Sequence, residues 1–130
     1  MHVTYEVRRA AAVDLDLELI FDFIANSAET LGEPPETAFD MAMRRVLAIE
    51  ATMEGLGRAP HQGTLAPHLG SGIRHVTKER AILYFDVDDE TEVLRILAVF
   101  FGGQDHDTRI LLRLLSANYA TFGSNRPDCV

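Results

Sequence analysis

Residues Val93–Phe101 read Val-Leu-Arg-Ile-Leu-Ala-Val-Phe-Phe, apolar everywhere except Arg95. A run this short is a strand. With no polar face, it is expected to be central in its sheet and covered on both sides. Gly102-Gly103 ends it. Two further strands are predicted upstream, at 73–77 and 81–87. Asp88-Asp89-Glu90-Thr91 makes the last hairpin turn.

Residues 2–9 alternate, with Val3, Tyr5 and Val7 on one side and Thr4, Glu6 and Arg8 on the other. That is the pattern of a half-buried strand. From 13 to 31, Val13, Leu17, Ile20 and Ile24 share one helical face, which Phe21 and Phe23 widen. Asp14, Asp16 and Glu18 lie in the first turns, where the helix dipole favours negative charge, and Gly32 suits the C-terminal end. Pro34-Pro35 restarts the chain. Phe39, Ala42, Val46, Ile49, Met53 and Leu56 then carry a second helix. Its apolar spacing spans fewer heptads than a coiled coil needs, so it reads as a helix packed antiparallel on the first. Residues 57–72, rich in Gly and Pro, read as a loop lying against the surface. A last helix is predicted over 108–119, after Asp107.

The expected order is β-α-α-β-β-β-α: an α+β fold with a helical hairpin on a mostly antiparallel four-stranded sheet, plus a C-terminal helix. The chain has 130 residues, 47% hydrophobic and 25% charged, which suits one domain with a real core. That domain is expected over 1–122, with 123–130 as a flexible tail. Cys129 is the only cysteine, so no internal disulfide forms. With no signal-type start and no apolar run near the ~20 residues of a membrane span, a cytoplasmic protein without membrane contact is expected. The net charge is -8, from 20 acidic and 12 basic residues. Binding DNA by overall charge is therefore not expected.

Taken in order, several segments resemble the RelE/ParE superfamily of toxins from bacterial type II toxin–antitoxin systems. They are Tyr5-Glu-Val-Arg-Arg9, Asp16-Leu17-x-x-Ile20-x-x-Phe23-Ile24, Leu56-x-x-x-Pro60-x-x-Gly63, Gly72-Ile73-Arg74, Ile82-Leu83-Tyr84-Phe85, and the last strand with Gly102-Gly103-Gln104-Asp105. The resemblance covers roughly residues 3–106. It implies a toxin neutralised by a cognate antitoxin, with no cofactor. RelE-like members cut mRNA on the ribosome, whereas ParE-like members inhibit DNA gyrase and lack the nuclease residues.

Metal-free RNA cleavage needs an acid/base pair and cations at the scissile phosphate. Arg74 matches the arginine that family nucleases carry in that strand. On the last strand the family's Arg-Val-x-His is here Ala98-Val99-Phe100-Phe101, so Ala98 replaces the arginine and Phe101 the histidine. Arg95, three residues before Ala98, falls on the opposite face of a regular strand. His106 and Tyr119 match no motif. The resemblance therefore leans to the ParE branch and away from an enzyme; a nuclease would have to use Arg74, Arg95 and His106.

For antitoxin or target binding, the resemblance points to Arg74, Lys78, Arg80 and Arg95 near the groove an antitoxin tail crosses. On the last helix, Ile110, Leu111, Leu114 and Leu115 either complete the core or bind antitoxin or a second copy of the chain. His61, His68 and His75 recur every seven residues, but the spacing matches no zinc pattern, so no metal site is expected. Asp86, Asp88, Asp89, Glu90 and Glu92 read as a solvated hairpin tip. Residues 14–40 hold eight acids and no Lys or Arg. Against them stand the doublets Arg8-Arg9 and Arg44-Arg45, so the hairpin reads as acidic and the sheet as locally basic.

Overall fold

The structure, a computed structural model, describes residues 3–102 and 106–115. The elements are β1 (Glu6–Arg9), α1 (Val13–Thr30), α2 (Pro35–Gly55), β2 (Thr64–Leu65), β3 (Arg74–Lys78), β4 (Ala81–Asp88), β5 (Val93–Phe101) and α3 (His106–Leu114). The sheet order is β1-β5-β4-β3-β2. Only β1 runs parallel to its neighbour, β5; the other pairs are antiparallel.

The α+β class and the element order match the sequence expectation, but the sheet has five strands rather than four. The extra one is the two-residue β2, too short to leave a periodic signal. It lies in the segment that reads as a loop. Gly63, with φ of 81°, leads into it; a Cβ there would stand 2.4 Å from the His75 carbonyl oxygen. Only glycine lets the two backbones come that close. The first strand is shorter than the alternation implies, because the Tyr5 N–H donates to the Gly57 carbonyl at 2.8 Å instead of joining the ladder. The tail 123–130 and the predicted helix beyond residue 115 lie outside the described residues.

α1 ends as Gly32 allows. With φ of 103°, Gly32 donates to Glu29, and the Glu33 N–H reaches back to Ala28. This satisfies the last carbonyls of the helix. Pro35 then opens α2, where its missing N–H has no bond to lose. The two helices meet one face of the sheet through Val13, Leu17, Ile20, Ile49 and Met53, which close over Leu83, Phe85, Leu94, Ile96 and Val99. On the other face a smaller cluster joins Ile73, Tyr84, Leu97, Ala98 and Phe100 to Ile110 of α3. β5 thus lies between β1 and β4, flanked on both sides as far as Ile96, and is covered on both faces, as its composition requires.

Candidate functional site

β5 is not regular. Ile96 stands opposite Phe85 and Ala98 opposite Tyr84, so β5 takes two steps where β4 takes one, and Leu97 is the extra residue. This bulge reverses the alternation beyond it. Arg95, opposite Asp86, therefore shares a face with Ala98, opposite Tyr84, because residues 84 and 86 of β4 point the same way. This corrects the expectation that Arg95 and Ala98 lie on opposite faces. Arg74 stands opposite Phe85 and so lies on the other side of the sheet. The structure separates Arg74 from Arg95.

Each arginine already has a role. Arg95 Nη2 lies 3.4 Å from Asp86 Oδ2, and the Asp86 side chain is only 6% exposed. Asp86 is thus buried in an ion pair, not part of a solvated tip. Arg74 Nη1 donates to the His61 carbonyl at 2.8 Å. Nearby, Asp89 Oδ1 accepts from the Tyr5 hydroxyl at 2.7 Å and lies 2.8 Å from His61 Nε2. The Tyr5 hydrogen bond, then the bond to His61, holds the Asp89 carboxyl below its ordinary range; the same bond to Asp89 pushes the Tyr5 phenol up. These contacts clasp the first strand, the loop after α2 and the β4–β5 turn.

Of the three loop histidines, His61 meets Asp89, while the His75 ring lies 5.7 Å from that of Tyr84 on the far face. Among the described residues, no three His, Cys, Asp or Glu side chains are arranged to hold a metal ion. The side chain of His106 lies outside the described residues.

The α3 leucines divide. Ile110 is fully buried and Leu114 packs on the second cluster. Leu111 and Leu115 are exposed, as is Leu112. α3 is fastened by Arg113, which donates to both oxygens of Asp16. Asp16 stands in the core-facing stripe of α1, an acid between Val13 and Leu17, and is 3% exposed.

Two of the concavities against the helical hairpin each have a volume of about 480 Å³. The first has an apolar floor of Phe23, Ile24, Ala28, Leu31, Met41 and Phe101, and every charged side chain lining it is an arginine: Arg44, Arg45 and Arg80. The second is lined by Asp14, Glu18, Asp22 and Glu50, with Arg9. In it Arg9 Nη2 is paired to Glu50 at 2.7 Å and Nη1 to Asp14 at 3.2 Å. The hairpin is therefore not uniformly acidic: α2 supplies two of the three arginines of the first groove.

Arg80 sits at the first groove's edge in the turn between β3 and β4. Glu79 and Arg80 both have positive φ, 54° and 62°. Two-residue hairpin turns demand this geometry and usually recruit Asn or Gly for it. Glu79 also receives Arg45 at 3.1 Å. Lys78 is exposed at the end of β3.

Sequence reasoning points to Arg80 and Lys78 but misses this groove. Periodicity places Phe23 with the core, yet it is 49% exposed, tilted against Phe101 with the ring centroids 6.1 Å apart. A legible signal is surplus: Phe23, Leu31 and Met41 exceed what one buried helical face requires.

No protein-family model matches the sequence, and no curated protein does. Solved structures do share its fold. One is a chain of the chromosomal ParDE TA system from P. aeruginosa, with 20% identity over 76% of this chain and 97% of that one, at a TM-score of 0.57. Another is a chain of the toxin–antitoxin complex RelBE2 from Mycobacterium tuberculosis, with 20% identity over 76% and 99%, at a TM-score of 0.51. The chain thus shares the fold of these two chains from toxin–antitoxin systems.

Proposed function

We propose that this chain is the toxin of a type II toxin–antitoxin pair, held inactive by a cognate antitoxin, and that it arrests growth by binding a cellular protein rather than by cutting RNA. The observation that carries the second half is the separation of the candidate cations. Arg74 and Arg95 stand on opposite faces of the sheet, so they do not converge on one phosphate. Arg95 shares the face of Ala98, where family nucleases carry their second arginine, but it is engaged by Asp86. Phe101 stands where the family histidine would be, half-buried beside Phe23.

The arginine-lined groove supports the first half. It is an open apolar concavity of the size that takes a few side chains of a partner segment. We assign the antitoxin to it, with Arg80 at its edge and Lys78 nearby along the chain. Leu111 and Leu115 offer a second apolar contact, to the target or to a second copy of the chain. DNA gyrase is the target that ParE-like character implies, and the cytoplasm is the compartment. No helix among the described residues is long and apolar enough to cross a membrane.

The test is expression of the chain alone in a bacterium, then together with the product of any small reading frame that adjoins its gene. Growth arrest with intact mRNA and a DNA-damage response, relieved by that product, is the expected result. Rapid mRNA cleavage overturns the protein-binding mode. Normal growth overturns the toxin assignment.

A further inference from the structure

We infer that α1 and α3 together form a face through which two copies of this chain pair about a two-fold axis, α3 of each copy lying against α1 of the other. Of the two occupants named for the α3 leucines, target and second copy, the face selects the second copy. Such pairing needs neither the arginine-lined groove nor the toxin assignment.

The composition of α3 is the first observation. Ile110 and Leu114 pack inward on the second cluster, and Arg113 fastens the helix to Asp16. Leu111, Leu112 and Leu115 stand outside, with Leu112 64% and Leu115 71% exposed. A helix that is apolar on its outer side as well as its inner one is suited to burial on both.

The exposed side of α3 also continues onto α1. Leu19 and Leu112 line one shallow concavity of about 290 Å³, together with Arg109. Leu15, one turn before Leu19, extends the same ridge and is likewise exposed. Single exposed leucines need no explanation, but leucines gathered on two adjacent helices mark an interaction surface.

Charge then identifies the occupant. On α1 the leucines alternate with Glu18 and Asp22, like charges one turn apart that disfavour the helix on their own. On α3 they stand beside Arg109, one turn before Leu112. All three charged side chains are exposed and make no ion pair among the described residues. One face thus has an acidic apolar half and a basic apolar half. A basic partner would use only α1, and an acidic one only α3. A second copy, turned about a two-fold axis, uses both: Arg109 of each copy meets Glu18 and Asp22 of the other, and the leucines close between them. The complement is already present in the same chain.

Sedimentation equilibrium of the full chain tests this. At about 100 μM the mass of two copies is expected, with dissociation on dilution, as for an interface of modest size. Leu112→Glu should weaken the association at least roughly tenfold. Arg109→Glu should weaken it, and so should Glu18→Arg with Asp22→Arg. Combining these three charge reversals in one chain should restore it, because the halves again meet opposite charge. Met41→Asp, in the arginine-lined groove, should leave the mass unchanged. All five positions are exposed, and circular dichroism reads whether each variant is folded. The mass of one copy at the same concentration overturns the inference. Thermal unfolding then reassigns the leucines: lost stability in Leu112→Glu gives them to residues 116–130 of the same chain, and unchanged stability to another protein. A dimer indifferent to Leu112→Glu, or one that the combined reversal fails to restore, also overturns it, since the copies then meet through a different face. Growth arrest is scored separately, so a failed toxin assignment and a failed pairing are told apart.

Discussion

Arg113 of α3 donates to both carboxylate oxygens of Asp16 in α1, its Nη2 reaching Oδ1 at 2.6 Å. The same Asp16 accepts the backbone N–H of Val99 at 3.0 Å. β1 pairs with β5 only as far as Ile96, so from there on β5 would present an open edge. Unpaired strand edges recruit other chains. Asp16 and Arg113 occupy this one, and Arg113 also approaches the Leu97 carbonyl at 3.5 Å. One ion pair thus closes the sheet and fixes the C-terminal helix.

The pair sets a stability prediction. Arg113→Ala leaves the Asp16 carboxylate buried without its cation and should cost about 3–5 kcal/mol. Asp16→Ala should cost a similar amount and add an unpaired Val99 N–H at the sheet edge. Because each single change strands the other charge, Asp16→Ala with Arg113→Ala should cost clearly less than the sum of the two. Urea denaturation of the four proteins measures this. Additive losses would mean the pair is not coupled. Asp16→Ala should also raise the tendency to aggregate, read by light scattering.

Glycine positions give a second, signed prediction. A Cβ on Gly57 would stand 2.3 Å from the Tyr5 carbonyl oxygen and 3.1 Å from Val7 Cγ2. Gly57→Ala must push the first strand away and should cost about 1–3 kcal/mol. A Cβ on Gly55, the last residue of α2, would meet nothing within 4 Å. Gly55→Ala should gain up to about 1 kcal/mol, from helix propensity and a less flexible unfolded chain. Thermal unfolding of both variants checks the opposite signs.

Much of the fold is legible because its strongest elements carry period and composition together. The unbroken apolar run of β5 announces a doubly covered strand, and Gly32 with Pro34-Pro35 announces the hairpin. What stays hidden depends on one-residue or long-range events. The bulge at Leu97 reverses which face Arg95 occupies, and nothing in Arg-Ile-Leu-Ala declares it. Asp16 reads as a dipole partner, and only its place inside the stripe Val13, Leu17, Ile20 hints at burial. The clasp of Tyr5 with Asp89 joins residues 84 apart in the chain. The arginine groove gathers Arg44, Arg45 and Arg80 from a helix and a turn that only the tertiary fold brings together.

That clasp makes the acid and alkaline limits informative. Asp89 is held below the ordinary carboxyl range by Tyr5 first and His61 second. Its contribution to stability is present above the unfolded carboxyl value and is lost as pH falls through the lower folded one. Tyr5 is pushed up by the same bond, so its contribution is present below the unfolded phenol value and is lost as pH rises through the higher folded one. Tyr5→Phe should move the Asp89 titration up, toward the ordinary carboxyl range. Carboxyl NMR of Asp89 reads it directly. Because the bond is exposed to solvent, the effect on overall stability should be small.

The last prediction separates protein binding from RNA cleavage. Arg74 donates to the His61 carbonyl from a half-buried position. Arg74→Ala removes that one bond and should cost no more than about 1 kcal/mol, so the variant remains folded. A nuclease would lose a cation at the scissile phosphate, and such a loss typically costs about 10²–10³ in rate. A protein-binding toxin that uses the arginine groove loses nothing there, because Arg74 does not line it. Arg74→Ala should therefore arrest growth as the unmodified chain does, with mRNA intact on northern blots of a long transcript. Loss of arrest in a folded Arg74→Ala variant, with cleaved transcripts restored only by the parent chain, would transfer the function to ribonuclease chemistry that depends on Arg74.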